Sequence, residues 1–507
     1  MLVEPRASDL NFFKYFFLDM EKFNLWRKRR AEQRTATTVV FDLDIQAALL
    51  KNISGTVFPN AAPMEIDRLR KKWGNFLEKV SSLEGVDVSN GNSVSILEAG
   101  TETIESMISA IDNAVTRVWL ETYIFDGSDV AERVTHALLR AKKERGCDVV
   151  VIMDYIGSLD YKWRAELEAA GIPVVLFNPF PWSHWTVGNG VPKSVGPVPF
   201  RDHRKILIAD NVGFCGSMNI QGETVPKPGE EHPGFYDLNA RIEGPAVGHL
   251  GNVFIDSLEE SKMGVVRLPF KTPCVAAGSS YVQVLQSNVR KQRRAIQKCL
   301  AKQIREAEHE VRIASSYFMP PGFLKRALLG LGKKEGRVCS IVVSGTTDFF
   351  PVPGDLMAQT HALSRFINKP NTHISLYSDS HMHGKFTSVD KLFVQIGSYN
   401  FDRFSARRNL ESAIGVFDSD VVAQVNRIHD KLVQQSHPAC DDGLYFRNPV
   451  ARFVCWVAYF VMKTSGRNVF DGFDAYAASS DDRVNKGRKE WTLKLGRPDI
   501  LSTGYPF

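Results

Sequence analysis

No stretch of this 507-residue chain reaches the roughly 18 to 20 consecutive apolar residues that a spanning helix requires, so any firm membrane attachment is expected to be monotopic. Paired cysteines are missing too. The seven, at positions 147, 215, 274, 299, 339, 440 and 455, are odd in number and contain no CxxC, which argues against a disulfide framework or a zinc site. They are expected to be reduced thiols in a reducing compartment. The N-terminus lacks the features of a secretory signal: Lys14 and Asp19 interrupt its apolar stretch and no small-residue cleavage site follows, so export is not expected. Strong charge of one sign is absent as well. A net charge of +6 is mild for this length and favours anionic partners without choosing between phospholipid and nucleic acid.

What is present is ordinary globular material, 44% hydrophobic and 24% charged, which excludes global disorder. The length exceeds what one hydrophobic core usually fills, so two core domains with appendages are expected. Leu10 to Arg34 sets Phe12, Phe13, Phe16, Phe17, Phe23 and Trp26 ahead of the basic run 27–30. This segment reads either as an interfacial anchor with cations toward anionic lipid or as a helix packing on its own domain. Asn448 to Lys463, with Phe453, Trp456, Tyr459 and Phe460 between Arg452 and Lys463, is too short to span and reads as a buried terminal helix or an interfacial segment, the interface being favoured. Ser479 to Gly504 is polar and peripheral in character.

From about Ser93 short β-branched and aromatic runs alternate with helical stretches. Strands are predicted at Thr116–Phe125, Asp148–Tyr155 and Ile172–Phe177, with helices at Ala131–Glu144 and Tyr161–Ala170. The order recurs, with strands at Glu310–Phe318, Arg337–Val343 and His373–Tyr377 and helices at Phe323–Leu331 and Asp355–Ile367. Self-similarity at so long a period implies two homologous α/β halves rather than a solenoid. The boundary is placed near Arg267–Gly278, and the basic stretch Arg290, Lys291, Arg293, Arg294, Lys298 and Lys302 beyond it reads as a solvated face.

Each set of elements is followed by the same signature. The first is His203, Lys205 and Asp210 in HxKx4D, then Gly216, Ser217 and Asn219 in GSxN. The second is His383, Lys385 and Asp390, then Gly397, Ser398 and Asn400. One HxKx4D arises by chance in roughly a few per cent of chains this long; two with the same trailing GSxN do not. In an extended strand residues two apart face the same way, so His and Lys would reach one phosphate together. The glycine and serine would let backbone and hydroxyl approach an anion, and the asparagine amide would donate to it. Five residues separate Asp210 from Gly216 and six separate Asp390 from Gly397, a shorter first turn that could re-aim Ser217 and Asn219.

At these residues the sequence resembles the phospholipase D superfamily over about residues 95 to 430, and within it the cardiolipin synthases of bacterial type. Further likenesses are Glu121–Phe125, Tyr236–Asp237 with Glu243–Val247, Tyr317–Pro321, and Asn400, Phe401, Asp402, Arg403, Ser405, Asn409 and Glu411. The resemblance implies an α/β protein of two phospholipase D-like sandwich halves packed as a pseudo-dimer, with membrane-associating extensions at both ends. The corresponding division is 1–95 N-terminal extension, 96–268 first half, 269–440 second half and 441–507 C-terminal segment. It implies one site between the halves with no metal and no cofactor. His203 would attack phosphorus and His383 would protonate the leaving alkoxide, then deprotonate the incoming hydroxyl. Asp237 and Glu411 are candidates to orient the two histidines. Lys205, Lys385, Asn219 and Asn400, with Ser217 and Ser398, would bind phosphate, while Asp210 and Asp390, members of the catalytic motif, are expected to be structural partners of neighbouring groups.

The activity so implied is cardiolipin synthesis, a phosphatidyl group passing to the glycerol headgroup of phosphatidylglycerol. Alternatives are hydrolysis by a phospholipase D, another phosphatidyl transfer such as phosphatidylserine synthesis, or a phosphodiesterase acting on nucleic acid. Partners are therefore phospholipids (phosphatidylglycerol, cardiolipin) and a membrane surface. No nucleic acid is expected, because basic and aromatic residues do not interleave as in single-strand binding platforms. Location follows from function: the inner mitochondrial membrane in a eukaryote, the cytoplasmic membrane in a bacterium. His381 reads as a solvated loop histidine or a proton relay, and His184 with Trp185 as part of a long loop that covers an acceptor pocket or simply packs at the surface.

Overall fold

Valine-rich runs such as Val149–Val151 are apolar on both faces, the pattern of a strand covered by helices on both sides of a parallel sheet. The computed structural model describes residues 62–180, 198–226, 234–267, 274–291, 293–333, 336–347, 354–440 and 444–465. The segments Leu10–Arg34 and Ser479–Gly504 and the residues His184 and Trp185 lie outside the described residues.

In chain order the first elements are helix α1 (Pro63–Ser81), strand β1 (Val86–Leu97), α2 (Gly100–Asn113), β2 (Arg117–Thr122), α3 (Asp129–Arg145), β3 (Asp148–Asp154), α4 (Arg164–Ala169) and β4 (Val174–Phe177). They lead to β5 (Arg201–Asp202), β6 (Ile206–Ala209), β7 (Val212–Gly216), β8 (Asn239–Glu243) and α5 (Ala246–Ser261). The limits of α3 follow from its ends: Ser128 caps the amide of Ala131, Asp129 and Glu132 occupy the first turn, and Gly146 closes the helix in the left-handed region at φ 67°. The sheet runs β4-β3-β2-β6-β7-β8-β1, parallel from β4 to β2 and antiparallel beyond.

The second half repeats this order with β9 (Ser280–Asn288), a short β10 (Arg293–Arg294), α6 (Ala295–Glu306), β11 (Glu310–Ser315), α7 (Gly322–Leu331), β12 (Val338–Ser344), α8 (Gly354–Leu363), β13 (Thr372–Tyr377), β14 (Phe386–Val389), β15 (Phe393–Gly397), α9 (Arg403–Arg407), β16 (Asn409–Phe417) and α10 (Ser419–Gln434). Its sheet runs β13-β12-β11-β14-β15-β16-β9, the first half's order with β9 in the place of β1. Strand β17 (Ser436–Pro438), α11 (Leu444–Arg447) and α12 (Pro449–Ser465) follow.

The halves are joined through their equivalent strands. The end of β1 pairs with β8, whereas its beginning, Val86 to Ser89, pairs with β9 of the second half. Inward-facing residues of both sheets meet in one buried cluster that includes Trp119, Ile208, Leu238 and Phe254 from the first half and Val284, Ile396, Ile414 and Val425 from the second. Two expectations are corrected here. Residues 63–95, assigned to an extension, belong to the core: Trp73 is fully buried, its ring packs on Phe417 at 6.5 Å, and Lys72 pairs with Glu308. The basic stretch from Arg290 is not an open cationic face, because Arg290 pairs with Glu260, Lys291 with Asp256, and Arg293 with both Asp256 and Glu84. α12 carries no fully buried residue, and no helix among the described residues is long and apolar enough to cross a membrane.

Candidate active site

The two HxK triplets lie just ahead of β6 and β14 rather than within them, and each is held by backbone hydrogen bonds from the opposite half. The His203 amide donates to the Leu410 carbonyl at 3.0 Å, where β5 runs parallel to β16. The His383 and Gly384 amides both donate to the Tyr236 carbonyl at 2.8 and 2.7 Å, and the Tyr236 amide donates back to His381. The residue after each of these acceptors is a carboxylate. Consequently Glu411, from the second half, meets His203 Nδ1 at 3.1 Å, and Asp237, from the first, meets His383 Nδ1 at 2.7 Å. Each imidazole is oriented by a carboxylate from the other half.

The hydroxyls of Ser217 and Ser398 are each bonded to a carboxylate. Ser217 Oγ donates to Asp237 Oδ1 at 2.7 Å and Ser398 Oγ donates to Glu411, so both serines fix the carboxylates that face the histidines. This corrects the expectation of a phosphate-binding hydroxyl, and the glycines before them have a different reason as well. A Cβ on Gly216 would lie 2.0 Å from Asn239 Oδ1, and one on Gly397 would lie 2.4 Å from the Ser412 carbonyl. The neighbouring strand, not a ligand, demands glycine there.

Asp210 and Asp390 sit at the far ends of the hairpins, both in the left-handed region at φ 52°. Asp210 accepts from the amides of Val115, Thr116 and Arg117, and Asp390 from those of Glu308, His309 and Glu310, so each ties its hairpin tip to the start of the adjacent parallel strand. The spacing difference is absorbed at these tips. Ala209 pairs with Val212 across two residues and Val389 with Phe393 across three, while the Ser217 and Ser398 amides make equivalent bonds to Leu238 and Ser412. The shorter turn does not re-aim the first GSxN.

His203 and His383 are each 8% exposed, Lys205 4% and Lys385 2%. Burial, then the nearby Lys205, pushes the His203 imidazole down against the pull of Glu411. Burial pushes His383 down to about 4, against the opposing Asp237 and with Lys385 adding to it. Burial and Lys385 bring Lys205 down to about 7. Burial works against ionisation of Asp237, yet the charges of His383 and Lys385 and the Ser217 hydrogen bond hold it at about 2. A bound phosphodiester anion would offset the lysines and raise both imidazoles.

Both lysine ammoniums reach back to the carbonyl of the histidine in the same motif, Lys205 to His203 at 2.8 Å and Lys385 to His383. Asn219 Oδ1 accepts from the Ile124 amide at 3.3 Å, which leaves its NH2 as the donor end. Asn400 is buried, and its Oδ1 has no partner among the described residues.

Several residues around the site carried no assigned role. Tyr123 stands edge-on to His203 at 5.0 Å with Lys205 Nζ 5.2 Å from its ring centre. Arg204, between His203 and Lys205, turns to the opposite side and is fully buried, bonded to Ser257 of α5 and Gln286 of β9. Alternation along the HxK triplet was the signal that pointed it inward. Behind it, burial and the neighbouring Asp202 push the Glu121 carboxyl well above its usual range. His381 is corrected from a solvated residue to a buried one, with Nε2 3.1 Å from Ser316 Oγ and Nδ1 3.2 Å from Ser344 Oγ.

The chain matches the family model described as cardiolipin synthase, PLD-like domain over residues 107–231 and 300–433, which together hold both signatures. It is 25% identical over 371 residues to cardiolipin synthase 1 of Bacillus anthracis, spanning 71% of this chain and 70% of that protein. It is 27% identical over 342 residues to cardiolipin synthase B of Escherichia coli K12, spanning 65% and 77% respectively. The fold is similar to the crystal structure of a phosphatidylserine synthase from Haemophilus influenzae, with a TM-score of 0.58 at 14% identity over 74% of this chain and 95% of that one. With the model covering both signatures and the folded halves that carry them, this chain belongs to the cardiolipin synthase family of phospholipase D-like proteins.

Proposed function

We propose that this protein is a cardiolipin synthase that transfers a phosphatidyl group to the glycerol headgroup of phosphatidylglycerol through a phosphohistidine. The observation that carries the reading is the pair of buried imidazoles, each backed by a carboxylate from the opposite half and flanked by a lysine. With Nδ1 of each ring engaged, Nε2 is the reactive nitrogen of both. His203 attacks phosphorus, forming the N–P bond as the P–O bond to the leaving glycerol breaks. His383 gives that oxygen a proton and then takes one from the acceptor hydroxyl, whose oxygen bonds to phosphorus as the N–P bond to His203 breaks. Asp237, 2.7 Å from His383 Nδ1, would stabilise the imidazolium formed when His383 carries the proton.

Lys205, Lys385, Asn219 and Asn400 bind the non-bridging oxygens as charge builds on them. No metal enters the steps. The protein works on phospholipid at a membrane surface, the inner mitochondrial membrane in a eukaryote or the cytoplasmic membrane in a bacterium. Labelled phosphatidylglycerol in liposomes, with and without a chelator, followed by mass spectrometry of the lipids, tests the reading. Cardiolipin and free glycerol are expected with or without chelator. Phosphatidic acid as the sole product would contradict transfer, and loss of activity on chelation would contradict a metal-free site.

A further inference from the structure

α12 is a two-sided helix whose inner side is accounted for and whose outer side is not. Ala458, Tyr459 and Met462 pack on Met319, Ala358 and Ala362, and Tyr459 lies 4.9 Å from the His361 ring. On the outer side Phe453, Trp456 and Phe460 stack in a ladder with 5.7 Å between successive rings. These three rings are 61%, 46% and 49% exposed, with Val450, Val457 and Val461 exposed beside them. Such a strip is too apolar to be left to water.

The charges on this helix are of one sign. Pro449–Ser465 contains no carboxylate, while Arg452 and Lys463 stand at its two ends. Around Lys463 gather Lys325 and Arg326 of α7, Arg365 just after α8, and Arg403 of α9. Arg403 Nη1 donates to the Lys463 carbonyl at 3.4 Å. After burial, the charges of Arg365, Lys463, Arg403 and Arg326 push the Lys325 ammonium down. Arg326, Arg365 and Lys463 are exposed, and none of them, nor Lys325, forms an ion pair with a described carboxylate.

We propose that the outer face of α12 and the cation cluster at its C-terminal end form one docking surface for an anionic lipid bilayer, with the helix lying in the plane of the headgroups. Aromatic rings and valines enter the acyl boundary and the cations meet lipid phosphates. A second copy of this chain fits the surface poorly, since a two-fold contact would press the cation clusters together without any carboxylate on the helix to answer them. The position relative to the site supports the same occupant. Beneath α12 lie Met319 and Tyr317, the Tyr317 ring is 6.2 Å from His381, and His381 is 6.3 Å from His383. The surface therefore holds the bilayer beside the second half-site, which deepens the phosphatidyl-transfer reading and rests on it.

The test uses the full chain on phosphatidylglycerol vesicles with brominated acyl chains, taking the Trp456 signal as the difference between wild type and Trp456→Phe. Trp456 is expected to be quenched, and Lys325→Gln, Arg326→Gln, Arg365→Gln and Lys463→Gln together are expected to weaken vesicle binding about 10- to 100-fold. Turnover of dispersed short-chain phosphatidylglycerol is expected to stay within about twofold of wild type in the same variant, because none of these residues touches the reacting groups. If another segment of the chain or a second copy covers the face, Trp456 stays unquenched on vesicles that carry the protein, which overturns the proposal. Binding by the fourfold variant equal to wild type also overturns it. Quenching of Trp456 by a protein that makes no cardiolipin from short-chain lipid would support the docking surface while contradicting the transfer reading.

Discussion

The role of a residue in this site depends on which oxygen or nitrogen its neighbours leave free. Ser217 and Ser398 spend their hydroxyls on Asp237 and Glu411, so Ser398→Ala should leave phosphate binding nearly intact while loosening Glu411 and, through it, His203. Turnover is expected to fall by about 10- to 100-fold with little change in the lipid concentration for half-maximal rate. A change confined to that concentration would return the serine to the phosphate. Lys205 sets an alkaline limit. Its ammonium, brought to about 7 by burial and Lys385, loses its charge as pH rises through that value, and attraction for the anionic phosphodiester falls with it. Lys205→Arg keeps its charge at all accessible pH, so the alkaline limb of the rate at low lipid should move up by more than about one pH unit even where the absolute rate is lower. The paired signatures were legible at this scale because chemistry restricts their residue types: His, Lys and Asn recur at fixed spacing, and the resemblance marked Asp237 and Glu411 as candidates to orient the histidines. Where the serine hydroxyls point was not legible, since a serine between glycine and a polar residue serves a phosphate or a carboxylate equally well until its neighbours are known.

Among the elements, the β6–β7 and β14–β15 hairpins do the positioning, and their glycines are set by strand packing. Gly397→Ala would force a Cβ to within 2.4 Å of the Ser412 carbonyl, and backbone cannot yield cheaply. The expected loss is about 1 to 3 kcal/mol, read as a lower midpoint of thermal unfolding, and an unchanged midpoint would contradict the packing account. Strand and helix order around these hairpins was readable because apolar runs and turn residues alternate so plainly, with most limits within a few residues of those predicted. α1 and β1 were not. β1 reads SNGNS in its middle, a weak strand pattern, and becomes a strand because β8 and β9 offer it partners from two halves at once. Trp73, fully buried against the second half, reports the same integration. Trp73→Ala is expected to cost about 3 to 5 kcal/mol in denaturant unfolding, a loss that a detached extension would not show.

At the scale of the whole molecule, the proposed chemistry needs the pairing of halves rather than either half. His203 depends on Glu411 and His383 on Asp237, and the backbone bonds at Leu410 and Tyr236 place each histidine on the opposite half's strand. Each pair spans well over a hundred residues of sequence, which is why spacing alone left the partners as candidates. Because Asp237 acts through His383, the double variant Asp237→Asn with His383→Ala should turn over no more slowly than His383→Ala alone. The division of labour between the histidines is tested most directly by quenching the enzyme with denaturant at mildly alkaline pH, where the phosphoramidate N–P bond survives, during turnover of phosphatidylglycerol and locating the phosphatidyl adduct by peptide mass spectrometry. The account predicts an adduct on the peptide carrying His203 and none on the peptide carrying His383; an adduct on His383, or none on either during active turnover, would contradict it.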